Sequence, residues 1–288
     1  ILSVLLVIAL IGLGIFFFRW YGKKAPQPSV SARGMFEWRE STVEDPKSVQ
    51  SLIQDLKITK WYQEIPEDWN HVSDFSSSLH KQGVSIYALF GAVEWGYERD
   101  GITLISHLKQ VTDYNKTAPK NARIDGVMID VEPYISSKWK KNKKKNMKIY
   151  VDGMLKAYQS VAGQHLQFAI CIPRHYDDQG LSEELERLIA KGCDEVAVMN
   201  YDCGNEVEKI QTEAILAQKY GKELHCVLEF QEVGKHGLVE EKTYRNKGLE
   251  AAWNAWETVD AAYPKIPVTW DYHCTNPLLE MVENKSSK

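Results

Sequence analysis

The sequence has little of what commonly assigns a chain to a class of ligand. Positive charge is not in excess, because the formal net charge is −4, and we expect no nucleic-acid partner. The five cysteines follow no CxxC or Cys/His spacing, so the sequence predicts neither a zinc site nor a dense disulfide framework. No short internal repeat is visible either. We therefore expect no metal and no cofactor.

The chain begins with an uncharged apolar run, residues 1–18, which is followed by Arg19, Trp20 and Lys23. Such a run is close to the roughly 20 residues that a membrane span needs, and cations with aromatic rings are typical of a membrane interface. We predict a membrane anchor over residues 1–24, with a cleaved signal peptide as the alternative, and a Pro/Ser-rich linker over residues 25–33. The expected localisation is that of a single-pass membrane protein with its main domain outside the cytoplasm. The flanking cations taken alone favour the opposite orientation.

Strand-like and helix-like segments alternate from residue 34 to the end of the chain. Eight strands are predicted, over residues 34–38, 58–65, 84–91, 124–132, 166–173, 195–202, 224–232 and 268–274. Helical patterns cover residues 47–57, 74–82, 102–116, 147–162, 182–191, 207–220, 241–262 and 276–284. Eight βα units predict an α/β fold, a closed (β/α)₈ TIM barrel over residues 34–288. An open doubly wound sheet is the alternative, but no glycine-rich phosphate loop follows the first strand.

The segment IDGVMIDVEPY, residues 124–134, places carboxyl groups on a strand that is otherwise apolar. Side chains alternate between the two faces of a strand, so Met128, Asp130 and Glu132 share one face. An unpaired carboxylate in an apolar interior is costly and usually persists where a site uses it. Because barrel enzymes build their sites at the carboxyl ends of the strands, the sequence predicts that Asp130 and Glu132 lie in such a site. A purely structural ion pair with Arg174 or a lysine is the alternative.

Polar and aromatic residues also follow the other predicted strands. They are Glu37 and Trp38, Gln63 and Glu64, Glu94 and Trp95, Arg174 and His175, Tyr201 and Asp202, Glu229 and Gln231, and Trp270, Asp271 and His273. Sugar rings stack on indoles, and cleavage of a glycosidic bond uses carboxyl groups. Acids and aromatic rings without a metal-ligand cluster therefore predict a carbohydrate site.

Three motifs resemble those of family 18 glycoside hydrolases, the chitinase-like enzymes. The run from Asp125 to Glu132 is similar to the DGxDxDxE motif of the family's fourth barrel strand, and the run from Met199 to Asp202 is similar to the MxYD motif of its sixth. Trp270 stands where the family carries the tryptophan beneath its −1 subsite. The resemblance covers residues 34–285 and implies a TIM-barrel glycosidase.

The family's mechanism implies a role for each matching residue. Glu132 would protonate the glycosidic oxygen, while the substrate's own 2-acetamido oxygen attacks the anomeric carbon. Asp130 would orient the acetamido group and keep Glu132 protonated. Tyr201 and Asp202 would hold the acetamido group, and Trp270 would lie under the sugar. The substrate implied is a glycan that contains N-acetylhexosamine, with N-acetylglucosamine as the expected unit.

Met128 is where the chain departs from the motif, because the family has an aspartate at that position, beneath Asp130. Two alternatives therefore stay open. Glu132 and Glu229, at the ends of the fourth and seventh strands, could act as the acid/base and the nucleophile of a two-carboxylate retaining glycosidase. The barrel could instead bind glycans without catalysis.

The other expected substrate contacts also lie at strand ends or in the fourth-strand motif. They are Trp38, Trp95, Glu229, Gln231, Arg174 and Asp125. A lysine-rich run over residues 138–148 follows the fourth strand. It either attracts an anionic glycan or forms a solvated loop that enters a helix.

Overall fold

Parallel strands close into a barrel in the computed structural model, which describes residues 31–286. The strands run in sequence order as β1 (Arg33–Glu37), β2 (Lys60–Glu64), β3 (Ser85–Phe90), β4 (Gly126–Ile129), β5 (Gln167–Pro173), β6 (Glu195–Met199), β7 (Glu223–Glu229) and β8 (Val268–His273). β8 pairs with β1, with Tyr272 opposite Met35, and this pairing closes the sheet. The predicted (β/α)₈ barrel is thus confirmed.

Helices connect the strands and form the outer layer. They are α1 (Gln50–Asp55), α2 (Val72–His80), α3 (Ile102–Thr117), α4 (Ser137–Lys141), α5 (Lys143–Ser160), α6 (Ser182–Lys191), α7 (Glu206–Lys209), α8 (Gln211–Tyr220), α9 (Leu249–Ala262) and α10 (Thr275–Ser286). The helix predicted over residues 207–220 is two helices, and the one predicted over 241–262 begins only after Gly248, whose φ is +87°. α4 and the first turn of α5 stand where a solvated loop was one expectation for residues 138–148, because this lysine-rich sequence carries no apolar periodicity that predicts a helix.

Alternating side chains divide the interior into two cores. One face of the strands fills the lumen with a cluster that we call the lumen core, made of Phe36, Tyr62, Tyr87, Leu89, Met128, Ala169, Cys171, Ala197, Met199 and Val227. The other face packs against the helices, and Val127, Ile129 and Val131 belong to this outer core. The fourth strand therefore presents Met128 to the lumen and its valines to the helices, as its alternation predicts.

The predicted anchor, residues 1–24, lies outside the described residues. So does most of the predicted linker, whose last residue, Arg33, begins β1. Between residues 31 and 286, no helix is long and apolar enough to cross a membrane. The expected localisation as a single-pass membrane protein with an extracytoplasmic barrel finds no support in this part of the chain, and it is withdrawn together with the expected membrane partner.

Candidate active site

Asp130 and Glu132 lie at the carboxyl end of β4, just beyond its last paired residue. The backbone N–H of Asp130 donates to the carbonyl of Phe90 at 2.8 Å, which extends the register of β3 and β4 past the strands. Gly91 permits this approach, since a Cβ at that position would lie 2.1 Å from the carbonyl oxygen of Asp130. Met128 is buried in the lumen one step below. The acidic pair, Asp130 and Glu132, therefore stands at the barrel mouth.

Burial and mutual repulsion keep a proton on the acidic pair. Burial and then the charge of Glu132 raise the pKa of Asp130 to about 7, against a weaker opposite effect of His273. Burial also raises the pKa of Glu132, although the Tyr134 hydroxyl donates a hydrogen bond to its Oε1. The Oδ1 of Asp130 is buried and has no hydrogen-bond partner among the described residues. Near neutral pH the pair thus combines an acidic proton with an unused acceptor.

A further carboxylate, Glu229 at the end of β7, is engaged on both oxygens. Its Oε1 accepts hydrogen bonds from the backbone N–H groups of Phe230 and Gln231, both at 2.8 Å. Its Oε2 lies 2.9 Å from Nδ1 of His273, whose Nε2 lies 3.2 Å from the indole nitrogen of Trp38. An indole N–H can only donate, so Nε2 of His273 accepts from Trp38. The proton of the neutral ring then lies on Nδ1, which donates a hydrogen bond to Glu229. This Trp38–His273–Glu229 chain fixes the orientation of an indole at the mouth.

Opposing effects set the charges of this chain. Burial raises the pKa of Glu229, but the charge and hydrogen bond of His273 and the backbone N–H groups of Gln231 and Phe230 together outweigh burial, so the pKa is lowered. Burial lowers the pKa of His273, but Glu229, with the charges of Asp130 and Glu132, outweighs burial, so the pKa is raised. The Trp38 N–H opposes protonation of His273, because only the neutral imidazole has a lone pair on Nε2 that can accept the hydrogen bond of the indole.

Tyr201 and Asp202, which follow β6, meet different partners at the mouth. Tyr201 packs against the lumen core, with its ring centroid 6.0 Å from that of His273. Asp202 forms an ion pair at 2.7 Å with Arg174, which follows β5. The mouth therefore brings together Tyr201 and the acidic pair, while the charge of Asp202 is already balanced by the protein.

Trp270 does not lie at the mouth, which corrects its predicted place under the sugar. Its indole faces outward and stacks on Trp256 of α9, with ring centroids 5.5 Å apart. The neighbouring Asp271 takes the lumen face and accepts a hydrogen bond from Tyr62 at 2.8 Å. Because neighbours on a strand point in opposite directions, Trp270 belongs to the outer core.

Two more predicted substrate contacts lie away from the mouth. Asp125 precedes β4 at the amino end of the barrel, where its carboxylate lies 2.8 Å from His80. Trp95 follows β3 but stacks on His107 of α3, at a centroid distance of 4.7 Å, against the outer core. Both predictions are corrected, because these side chains have structural partners outside the lumen mouth.

Gln231 and two unpredicted residues complete the surroundings of the carboxyl groups. The Gln231 side chain is largely buried and lies 3.4 Å from Oε2 of Glu229, so it supports Glu229. Sequence reasoning missed Tyr134, which donates to Glu132, and Cys171, whose buried thiol lowers the pKa of Asp130 through a hydrogen bond. The alternation of β5 was the available signal for Cys171, since it places this thiol in the lumen.

A group with the spacing of metal ligands lies at the opposite, amino end of the barrel. It consists of Glu195, Glu223 and His225. The ammonium of Lys60 lies 2.9 Å from Glu195 and 2.6 Å from Glu223, so a cation of the protein already stands between these carboxylates. Asp271 lies 2.9 Å from Nδ1 of His225. This polar network fills the lumen at its amino end and leaves the carboxyl end as the candidate site.

Comparison with known proteins shows the fold. Neither a protein-family model nor a curated protein matches the sequence. The glycoside hydrolase domain of PgaB (BpsB) from Bordetella bronchiseptica is similar over 89% of this chain and 97% of its own, with 11% identity and a TM-score of 0.56. A class V chitinase from Nicotiana tobaccum is similar over 84% of this chain and 94% of its own, with 12% identity and a TM-score of 0.55. A chitinase from Bacteroides thetaiotaomicron is similar over 88% of this chain and 94% of its own, with 12% identity and a TM-score of 0.52. The chain thus has the TIM-barrel fold of chitinase and glycoside hydrolase domains.

Proposed function

We propose that the chain is a glycoside hydrolase that cleaves a glycan containing N-acetylhexosamine by substrate-assisted, retaining catalysis. The observation that carries the proposal is the acidic pair, in which Glu132 has a raised pKa and the neighbouring Asp130 has an unused buried oxygen. One group can supply a proton and the other can stabilise a positive charge. Cleavage of a glycosidic bond in which the leaving group departs as an alcohol and the sugar forms a cationic intermediate needs both groups.

The proposed first step breaks the bond between the anomeric carbon and the glycosidic oxygen. The acetamido carbonyl oxygen of the substrate attacks the anomeric carbon, and Glu132 gives its proton to the departing oxygen. The product is a cyclic oxazolinium, whose N–H is matched by the free Oδ1 of Asp130. In the second step Glu132 takes a proton from water, and the water oxygen opens the ring at the anomeric carbon. Two inversions retain the configuration.

Two aromatic residues complete the proposed subsite. Tyr201 packs against the lumen core beside the acidic pair, and its hydroxyl is the proposed donor to the acetamido oxygen. Trp38 takes the role of sugar platform that the motif resemblance gave to Trp270, since its indole is partly exposed and held by His273. Asp202, which is paired with Arg174, contributes by fixing the loop after β6.

Glu229 is the nucleophile of the alternative two-carboxylate mechanism, and its surroundings favour that role less. A nucleophilic carboxylate needs an oxygen free to approach the anomeric carbon. Both oxygens of Glu229 instead receive hydrogen bonds, from two backbone N–H groups and from His273, and its side chain is buried. Support for an N-acetylglucosamine substrate comes from a structural neighbour, a tobacco class V chitinase variant solved in complex with NAG4.

Product analysis on N-acetylglucosamine oligosaccharides tests the proposal. The wild-type chain should cleave them, and Glu132→Gln should lower kcat by about 10²–10⁴-fold, because an amide has no acidic proton to give. Glu232→Gln is the matched control, since this acid also follows a strand but its side chain is 68% exposed, and it should leave kcat unchanged.

The same assay separates the alternatives. Cello-oligosaccharides carry a 2-hydroxyl instead of the acetamido group and should not be cleaved. Cleavage of these sugars that is lost in Glu229→Gln would support the two-carboxylate mechanism. Sugar binding without turnover at any pH would overturn the proposal in favour of a non-catalytic glycan-binding barrel.

A further inference from the structure

The segment from Lys138 to Lys148 concentrates positive charge in an acidic protein. It holds seven lysines and no acidic residue, and the chain's net charge of −4 then leaves −11 for all other residues. All seven lysines are exposed. We call these side chains the lysine patch, made of Lys138, Lys140, Lys141, Lys143, Lys144, Lys145 and Lys148. A patch of this sign on a surface that is otherwise acidic attracts anions to one place.

The lysine patch lies on an ordered scaffold. It occupies α4 and the first turns of α5, which are anchored by the buried side chains of Trp139 and Met147. The Asn142 side chain caps α5 by accepting from the backbone N–H of Lys145 at 3.1 Å. The Asn146 side chain donates to the carbonyl of Lys138 at 2.8 Å. The lysines are therefore presented together on two helices that are fixed to the barrel.

The placement of these lysines does not serve the stability of the helix. Lys143, Lys144 and Lys145 occupy the first turn of α5, which contains no acidic residue. The amino end of a helix carries a partial positive charge, so cations there are unfavourable. Among the seven lysines of the patch, only Lys138 has an ion-pair partner within the described residues, namely Glu94 at 2.7 Å. Most of the charge therefore faces solvent without compensation.

The lysine patch borders the mouth. The ammonium of Lys138 lies 5.2 Å from the ring centroid of Tyr97, whose hydroxyl donates to the carbonyl of Pro133 at 2.7 Å. Pro133 directly follows Glu132. On the other side, the charge of Lys143 reaches His175 and adds to the effects of burial and Arg174 that lower the pKa of this imidazole.

His175 in turn connects to the acid of the proposed reaction. Its ring lies edge-on to Tyr134 at a centroid distance of 5.1 Å, and Tyr134 donates to Glu132. Contacts of Lys138 through Tyr97 on one side, and the charge of Lys143 acting on His175 on the other, thus link the lysine patch to the segment that carries Glu132. A polymer bound in the mouth that leaves it over α4 and α5 passes the lysines.

We propose that the lysine patch binds an anionic part of the substrate, so that the natural substrate is a glycan bearing carboxylate or phosphate groups. This inference rests on the proposed function and names the substrate class of the same site. A nucleic acid fits less well, because Trp139 is buried and gives no stacking platform for bases, and the rest of the chain is acidic. A lipid surface also fits less well, because a helix that binds a membrane surface buries a whole face of apolar side chains. In the described residues next to the patch, a single large apolar side chain is exposed, Ile135 at 58%.

A pair of polymers with one backbone tests the inference with the full chain. Glycol chitin is neutral, whereas carboxymethyl chitin carries carboxylates. The wild type should have about a tenfold lower KM for the anionic polymer at low salt. This preference should vanish with added NaCl, because the Debye length falls to about 10 Å at 0.1 M salt.

The triple variant Lys143→Gln, Lys144→Gln, Lys145→Gln should lose most of the preference while its rate on glycol chitin stays unchanged. The matched control replaces Lys81, Lys191 and Lys265 with glutamine, which removes the same charge from exposed positions at helix-to-strand turns, away from the mouth. An equal KM for both polymers, or the same loss in the control, would refute the inference.

Binding measurements keep this inference separate from the proposed function. The affinity of Glu132→Gln for the two polymers reports on the lysine patch without turnover. If neither polymer is hydrolysed by the wild type, the proposed function fails, whereas the lysine patch is refuted only when the binding preference is absent. Loss of binding to anionic vesicles or to single-stranded DNA in the lysine variant, with unchanged polymer binding, would assign the patch to a membrane or to nucleic acid and overturn the inference.

Discussion

Replacing Glu229 with glutamine should destabilise the barrel by an amount that depends on Trp38, although His273 lies between the two. In the wild type the carboxylate accepts from Nδ1 of His273, and Nε2 accepts from the Trp38 indole. Glutamine keeps the shape but adds an N–H₂ group that only donates. If its oxygen stays on the backbone N–H groups of Phe230 and Gln231, its nitrogen faces Nδ1–H. If the amide turns over, its nitrogen faces those backbone groups instead. Either orientation places donor against donor.

The expected size follows from these contacts. A hydrogen bond to a charged group contributes about 1.5–3 kcal/mol, and a buried donor left without an acceptor costs about 1–3 kcal/mol. Glu229→Gln should therefore lower the free energy of unfolding by about 3 kcal/mol. In a Trp38→Phe background no indole N–H holds Nε2, so His273 can move its proton there and accept from the new amide at Nδ1. The same substitution should then cost about 1–2 kcal/mol less.

Urea denaturation of the four proteins in this double-mutant cycle measures the coupling. It is done at alkaline pH, where the imidazole is neutral, because Glu229 raises the pKa of His273. A second readout is the NMR titration of the His273 ring, whose pKa should rise further in Trp38→Phe because the lone pair on Nε2 is released. A coupling below about 0.5 kcal/mol would show that the two sites are independent and would refute the assigned tautomer.

Three other substitutions test the placement of residues around the mouth. Asp130→Asn removes the carboxyl group beside Glu132, whose mutual repulsion helps to hold a proton on the pair, so the alkaline loss of kcat/KM should move to lower pH; an unmoved profile contradicts the coupling of the two carboxyl groups. Trp270→Ala should cost about 3–5 kcal/mol in chemical denaturation, since the indole is packed in the outer core. Trp270→Phe should leave KM unchanged, and a raised KM would restore the residue to the site. Met128→Asp should destabilise the barrel by about 3 kcal/mol at neutral pH and more as the pH rises, because the buried carboxyl keeps its proton while that of the unfolded chain ionises, whereas Met128→Leu should cost less than about 1.5 kcal/mol.

Alternation along a strand predicts much of the site from the sequence. It separates Met128, Asp130 and Glu132 from the valines of the same segment, and the structure has this division. The alternation of strands and helices predicts the closed barrel in the same way. Both rest on local patterns, which is why the sequence is sufficient for them.

The error at Trp270 has a physical explanation in the same rule. Along β8, polar Asp271 and His273 alternate with apolar Trp270 and Tyr272, which places the indole on the helix-facing side. The prediction for Trp270 followed its position in the family motif, although the alternation along the strand already indicates the helix-facing side. Asp125 is a similar case, because five steps along the strand separate it from Asp130 by roughly 16 Å.

The Trp38–His273–Glu229 chain is the part that sequence reasoning could not supply. Trp38 and His273 are 235 residues apart, and their contact depends on the pairing that closes β8 onto β1. Register across a closing pair is set by packing of the whole barrel and by no local pattern. The resemblance to family motifs gave no signal for it either, since none of the three motifs includes Trp38 or His273.

The apolar side chain of Met128 accounts in part for the raised pKa of Asp130. A carboxyl group at position 128 would lie beneath Asp130 and could share its proton, whereas an apolar side chain leaves Oδ1 of Asp130 buried and without a partner. Burial is accordingly the largest cause of the raised pKa, and the charge of Glu132 is the next. In the proposed mechanism, a proton held by Asp130 and Glu132 lies at the group that is proposed to donate it. The departure from the family motif at Met128 is therefore compatible with the proposed reaction.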